Sequence, residues 1–166
     1  AADPSTCAGK DAFVPVRRQS FEDLGDPTLA ATGAAFSPFA SARVVTPDGR
    51  TVVGGHGRFV ASSCGVGVDG DAVTGELVWG PVPWSGRRFG ALLAGEKDDA
   101  LFLTVEGRGA GDSRWHELAR LAPPRRSTLF PVVADLGERR WDEVRVRVVD
   151  ASRDGHLVVD ALTFAP

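Results

Sequence analysis

The C-terminal part of the chain constrains the fold most strongly. Valines alternate with arginines over residues 144–149, and this period of two places the valines on one face of an extended strand and the arginines on the other. A polar turn over residues 150–156 follows, and residues 157–164 are again apolar and β-branched. The pattern predicts two β-strands, joined by a short turn, that close a β-rich domain.

The remaining sequence predicts an all-β fold as well. Short apolar or alternating segments are separated by turn signals roughly every 8–12 residues, a spacing typical of sandwiches and jelly rolls. Twenty glycines and eleven prolines fit many tight turns. We expect a jelly-roll β-sandwich of about nine or ten mostly antiparallel strands. It forms one domain over residues 13–166, after an irregular N-terminal segment over residues 1–12. Residues 115–121 fit a strand and a short helix equally.

Two turns are specific enough to place. Pro-Asp-Gly-Arg at residues 47–50 separates two β-branched segments and predicts a hairpin over residues 43–53. Prolines and a glycine over residues 81–86 predict a bend between two further strands.

Composition argues against several classes of function. The net charge is −3, and the paired arginines are scattered among acids, so the sequence predicts no nucleic-acid partner. No apolar run reaches the roughly 18 residues that a membrane helix needs. The beginning Ala-Ala-Asp is what cleavage of a leader at a small-residue site leaves, which predicts an exported protein.

The two cysteines make one possible pair. In an exported protein, a disulfide between Cys7 and Cys64 would pin the N-terminal segment and stabilise the fold by about 3–4 kcal/mol. The alternative is a pair of buried thiols in a cytosolic protein.

Carboxylates near the two ends of the domain suggest a calcium site. Glu22, Asp23 and Asp26 lie near the beginning, and Asp160 lies in the last predicted strand. The first and last strands of a sandwich commonly pair, which would bring these hard oxygen donors together around a structural Ca²⁺. The alternative is that the three N-terminal acids only cap turns.

Catalytic signatures are largely missing. The sequence has no Gly-x-Ser-x-Gly elbow, phosphate loop, zinc-protease helix or Cys-x-x-Cys pair. Residues 62–64 (Ser-Ser-Cys) offer nucleophiles without a supporting spacing. A zinc site from His56, His116 and His156 would need three distant loops to converge.

Aromatic residues supply the candidate ligand contacts. A tryptophan ring offers a flat apolar face for a pyranose and an N–H donor for its hydroxyls, although core packing is the common use. Trp84 beside the proline bend and Trp115 after a glycine-rich loop are the exposed candidates. His156 and Asp154 are candidate hydrogen-bonding groups, with a purely structural turn as the alternative.

A series of short motifs resembles a known group of modules. These are Gly-His-Gly at residues 55–57, Thr-Gly-Glu-Leu at 74–77, Phe-Gly-Ala-Leu-Leu-Ala-Gly at 89–95 and Gly-His-Leu-Val-Val-Asp at 155–160. The order resembles the jelly-roll modules appended to secreted bacterial glycoside hydrolases, including fructan-acting ones, within the galactose-binding-like β-sandwiches. The pattern departs at residues 95–99. The resemblance implies a non-catalytic domain, often carbohydrate-binding and sometimes with a structural calcium.

Three functions follow as hypotheses. The first is an exported, cell-envelope-associated module whose sandwich-end loops bind a polysaccharide or surface glycan. The second is a structural or protein-interaction domain that packs against a neighbour in a larger envelope protein. The third is a hydrolase with a sandwich fold.

Overall fold

In a computed structural model of the chain, residues 15–23, 25–36, 52, 54–64 and 72–166 are described. Within them the structure is built from ten strands and contains no α-helix. The strands are β1 (Arg17–Gln19), β2 (Leu29–Gly33), β3 (Ala61–Ser62), β4 (Gly75–Pro83), β5 (Arg88–Gly95), β6 (Leu101–Arg108), β7 (His116–Leu121), β8 (Arg126–Asp135), β9 (Glu143–Asp150) and β10 (Leu157–Ala165).

Two predictions fall outside the described residues. One is the N-terminal segment over residues 1–12, which contains Cys7. The other is the hairpin over residues 43–53, of which only Val52 is described. The disulfide between Cys7 and Cys64 therefore stays a prediction.

The strands form two antiparallel sheets that pack face to face. The front sheet has the order β2–β4–β9–β6–β7. The back sheet has the order β1–β10–β5–β8, and β3 also pairs with β10. The predicted all-β jelly-roll sandwich is confirmed. No helix in the described residues has the length and apolar character to cross a bilayer.

The two C-terminal strands lie where the alternation predicts them, but they do not pair with each other. β9 runs between β4 and β6 in the front sheet, whereas β10 pairs with β1, β3 and β5 in the back sheet. The turn over residues 151–156 therefore carries the chain from one sheet to the other. Val144, Val146 and Val148 are buried, and Arg145 and Arg147 lie on the outer face of the front sheet.

The core lies between the sheets and is rich in aromatic rings. The Phe164 ring centroid lies 5.2 Å from that of Phe89 and 5.6 Å from that of Trp79, so β10, β5 and β4 meet around one side chain. All three rings are buried. Burial of apolar surface contributes roughly 25 cal/mol per Å², so this cluster is a main source of stability.

The first described strand lies beside the last one. Arg17 is opposite Phe164 and Gln19 is opposite Leu162 in an antiparallel pair, as the sandwich prediction requires. β10 carries a bulge between Asp160 and Thr163 in its pairing with β5. Ala161, within the bulge, has a positive φ of 49°.

Two local predictions are resolved by strand pairing. Residues 116–121 form β7 on the edge of the front sheet, so the strand alternative is confirmed over the helix. The bend predicted over residues 81–86 begins later than expected, because β4 continues to Pro83. A cis Gly80–Pro81 bond and a bulge between Trp79 and Val82 accommodate the prolines within the strand.

Candidate functional site

Three tryptophans lie at one end of the sandwich, which we call the tryptophan end. Strand register places Pro83, Glu143 and Arg108 side by side there, at the ends of β4, β9 and β6. Backbone hydrogen bonds join the adjoining loops: the Trp84 N–H donates to the Asp142 carbonyl (3.1 Å) and the Asp142 N–H donates to the Arg108 carbonyl (3.0 Å). The tryptophan end is defined by Trp84, Trp115 and Trp141.

Trp115 lies half-exposed at the beginning of β7, against two arginines. The Cζ atoms of Arg108 and Arg145 are each 4.5 Å from its ring centroid. Both guanidiniums are held by carboxylates, Arg108 by Glu143 and Arg145 by Glu106. The ring therefore rests on a charged, hydrogen-bonded surface whose geometry is fixed by β6 and β9.

Trp84 is half-buried and packs against the main core, so only part of its ring faces solvent. It follows β4 directly and is held by its backbone bond to Asp142. Both predicted tryptophans are thus at the same end, with Trp115 the better placed for a ligand.

Trp141 is not among the predicted ligand contacts, yet it organises this end from its position two residues before β9. It is 8% exposed, with the Arg139 Cζ 3.9 Å from its ring centroid and the His116 ring centroid at 5.2 Å. A Cβ atom on Gly107 would lie 2.7 Å from the indole, so glycine is what allows the ring to pack there. His116 Nε2 lies 2.8 Å from Asp112 Oδ2. The sequence alone does not reveal this role, because the contact between Gly107 and Trp141 depends on the strand register.

The other two predicted ligand residues lie at the opposite end of the sandwich, after β9. Asp154 is exposed, and its N–H donates to Ser152 Oγ. His156 is 2% exposed, which removes it from any surface that a ligand could reach directly. We leave both out of the candidate site at the tryptophan end.

A shallow groove of about 500 Å³ lies at this opposite end. Its walls include hydroxyl and charged side chains but no aromatic ring; the lining residues are Thr32, Gly33, Thr74, Gly75, Glu76, Val149, Asp150, Ala151 and Arg153. It offers hydrogen bonds without a flat apolar face.

Of the four predicted calcium ligands, Glu22 and Asp160 converge on one loop. Glu22 Oε1 accepts hydrogen bonds from the backbone N–H groups of Arg58 (2.8 Å) and Phe59 (2.7 Å). Asp160 accepts one from the N–H of His56. Burial raises the pKa of Asp160, and the negative charge of Glu22 adds to the effect.

Asp23 and Asp26 instead serve local turns. Asp23 accepts the Gly25 N–H, and Asp26 accepts hydrogen bonds from Thr28 and Gln19. Among the described residues no group of three or more histidine, cysteine or acidic side chains converges as a metal site. Ca²⁺ takes about six to eight oxygens, so at the Glu22–Asp160 loop most would come from carbonyls and water.

The outer face of the front sheet carries an ion-pair network. Arg147 bonds Glu76 through Nη2 (2.6 Å) and Glu106 through Nη1 (3.0 Å), and Glu106 also pairs with Arg145. Glu106 is only 7% exposed. The hydrogen bond from Arg147 lowers the pKa of Glu76, and Glu76 in turn raises that of Arg147.

The remaining reactive residues are dispersed. His56 lies on the loop held by Glu22 and Asp160, His116 lies at the tryptophan end and His156 at the opposite end, so the zinc arrangement does not form. Ser63 is buried, and its Oγ accepts the Leu157 N–H (2.9 Å) and lies 3.3 Å from the Leu157 carbonyl. That hydroxyl joins the segment after β3 to β10.

Comparison with solved structures decides the fold class. The K3 cleaved adhesin domain of Lys-gingipain from Porphyromonas gingivalis W83 is similar with a TM-score of 0.55 at 12% identity, over 92% of this chain and 100% of that one. The K1 adhesin domain gives 0.54 at 13% identity, over 90% and 98%. TmCBM61, solved in complex with β-1,4-galactotriose, gives 0.53 at 12% identity, over 89% and 94%.

The fold is that of the galactose-binding-like β-sandwich modules. This confirms the resemblance seen in the motifs, and at 12–13% identity the likeness concerns the fold. No protein-family model matches the sequence, and no curated protein matches it. Within a galactose-binding-like sandwich, ligand chemistry has to be argued from the side chains at each site.

Proposed function

We propose that this chain is a non-catalytic, exported carbohydrate-binding module that holds a glycan at the tryptophan end, with Trp115 as the stacking platform. The observation that carries the proposal is the half-exposed Trp115 ring against the guanidiniums of Arg108 and Arg145. The likeness in fold to a module solved with β-1,4-galactotriose supports it.

The chemistry of this surface suits a sugar. Arg108 and Arg145 project from neighbouring strands on one outer face and hold the Trp115 ring against that face. Glu143, the carboxylate partner of Arg108, has a 41% exposed side chain and offers an acceptor for a sugar hydroxyl beside the ring. A flat apolar surface beside fixed donors and acceptors is what an amphipathic ring requires.

Binding without turnover fits the arrangement of the nucleophilic and basic side chains among the described residues. Ser63 is engaged with the backbone of Leu157, and the three histidines lie in separate parts of the molecule. The structures that this fold is similar to include adhesin domains and a carbohydrate-binding module. Export to the cell envelope, where polysaccharides are found, completes the proposal.

A glycan array followed by calorimetric titration of the strongest hit tests this function, with β-1,4-galactotriose included as a probe. We expect Trp115→Ala to weaken binding about tenfold or more, because a stacking ring contributes about 1–2 kcal/mol. Trp84→Ala, at a partly buried ring, should weaken it less.

Phe130→Ala is the matched control. Phe130 is also an exposed aromatic residue stacked with an arginine, Arg126 at 4.8 Å, but it lies in the back sheet. Affinity should be unchanged in this variant. If no polysaccharide binds, or if Trp115→Ala and Phe130→Ala lose affinity equally, the proposed site is wrong.

A second candidate function is contact with a neighbouring domain. Phe130 and Val133 on β8 are 43% and 62% exposed, and they lie on opposite faces of this edge strand of the back sheet. The second function is favoured if cross-linking in the cell envelope recovers a neighbour through β8, insensitive to added sugar and lost in the double variant Phe130→Ser, Val133→Ser.

A further inference from the structure

We infer that the glycan held at the tryptophan end is acidic, and that Arg139 binds the carboxylate of a uronic acid residue in it. The inference rests on the proposed function and adds the substrate class.

Arginines near the front sheet are mostly neutralised by acids. Arg108 pairs with Glu143, Arg145 with Glu106, and Arg147 with both Glu76 and Glu106. Arg139 is exposed and forms no ion pair with the described residues; its contact is the face of Trp141, 3.9 Å from Cζ to the ring centroid. Its positive charge is therefore uncompensated by a salt bridge.

The stacked geometry orients this charge for a carboxylate. Trp141 is buried and packs against Gly107, so the ring that the Arg139 guanidinium lies over is fixed in place. A guanidinium that is stacked on a ring keeps its N–H edges available, and a carboxylate is the anion whose geometry matches two parallel N–H donors. Lysine would keep the charge but lose the planar fork.

Gly109 lies beside this group. Arg139 Nη2 and Asp142 Oδ2 are each 3.8 Å from the position that a Cβ on Gly109 would take, so the glycine places no side chain against either of them. Arg139 supplies donors there and Asp142 an acceptor for a hydroxyl. The other nearby acid, Asp112, is hydrogen-bonded to His116.

The proposed carboxylate-binding position at Arg139 lies near the Trp115 ring. Trp115 is followed by His116, whose ring packs against Trp141, and the Asp142 N–H donates to the carbonyl of Arg108, which also contacts Trp115. Sugar units of one chain would then contact Trp115 on the outer face of the front sheet and Arg139 beside Trp141.

Titration with three matched probes tests the inference: oligogalacturonate, the same oligosaccharide with its carboxyl groups reduced, and neutral β-1,4-galacto-oligosaccharides of similar length. We expect oligogalacturonate to bind about tenfold tighter than its reduced form, because only the carboxylate can form a charge-assisted bidentate pair with Arg139. The preference should disappear in Arg139→Ala and in Arg139→Lys, with melting temperatures checked in both.

Arg140→Ala is the control, because Arg140 is the next residue, carries the same charge and is equally exposed. It should keep the preference. An equal loss in Arg139→Ala and Arg140→Ala would reduce the effect to bulk charge and overturn the inference. Neutral glycans that bind in a Trp115-dependent way without any acidic preference would overturn it while leaving the proposed function standing. If none of the probes or array glycans binds, both fail.

Discussion

Glu22 and Asp160 hold the same loop through hydrogen bonds to its backbone. Glu22 follows β1 and accepts the N–H groups of Arg58 and Phe59, while Asp160 in β10 accepts the N–H of His56. The pairing of β1 with β10 brings these two carboxylates to one place from distant parts of the sequence.

We predict that Glu22→Ala loosens this loop. Two backbone N–H groups lose their acceptor, and each hydrogen bond contributes about 1 kcal/mol, less where water replaces it. Urea unfolding should show a loss of about 1–2 kcal/mol, and hydrogen exchange should rise at residues 56–59. Asp23→Ala is the control, because Asp23 accepts only the N–H of nearby Gly25. Equal effects from both variants would contradict a specific role for Glu22.

Calcium binding at the Glu22–Asp160 loop is the second prediction. A cation between two carboxylates whose charges interact should stabilise the folded state, so the melting temperature should rise with added CaCl₂ and fall with EDTA. Asp160→Asn should abolish the response, and MgCl₂ at the same ionic strength should reproduce little of it. An unchanged melting temperature in EDTA and in millimolar calcium would contradict calcium binding at this loop.

Gly107→Ala should destabilise the tryptophan end. The added Cβ would lie 2.7 Å from two atoms of the Trp141 indole, so the ring must move. Overpacking of this kind costs about 1–3 kcal/mol, and the displaced indole should also change near-UV circular dichroism. Gly109→Ala is matched to it, since the Cβ there would meet nothing closer than 3.8 Å. A stability loss in Gly109→Ala as large as that in Gly107→Ala would argue against the packing explanation.

Acid sensitivity should depend on Glu76. Its pKa is lowered in the folded state by the hydrogen bond from Arg147, so its stabilising contribution is present above the unfolded-state pKa and is lost as the pH falls through the folded value. Unfolding free energies measured from about pH 6 down to about pH 3 should therefore fall more steeply in the natural chain than in Glu76→Gln. At neutral pH the variant should be the less stable of the two, and parallel curves would show that the pair contributes little.

The sequence predicts elements well where one strand's own pattern decides them. The valine–arginine alternation before the final turn is enough to place β9 and to tell its buried face from its outer face. The adjacency of Glu22 and Asp160 also follows, because it needs only the general pairing of first and last strands.

Features that depend on register could not be predicted in the same way. Nothing local to residues 151–156 shows that the turn changes sheets, since a hairpin and a crossover use the same polar residues. In the sequence, Glu106 stands at the end of an apolar segment, and its burial could not be predicted there. The burial is explained by its ion pairs with Arg145 and Arg147. The sequence predicts both Trp115 and His156 as ligand contacts, because it does not say which end of the sandwich each loop reaches.

The bulge in β10 allows residues on both sides of it to face the core. Val159 and Phe164 both contribute to the core although an odd number of positions separates them, and the extra residue at the bulge reconciles the count. A homologue shorter by one residue here would keep both side chains inside. Asp160 precedes the bulge and faces away from the core by ordinary alternation with Val159, so the loss of Ala161 should leave the loop anchor at His56 in place and shorten only the step between Asp160 and Leu162.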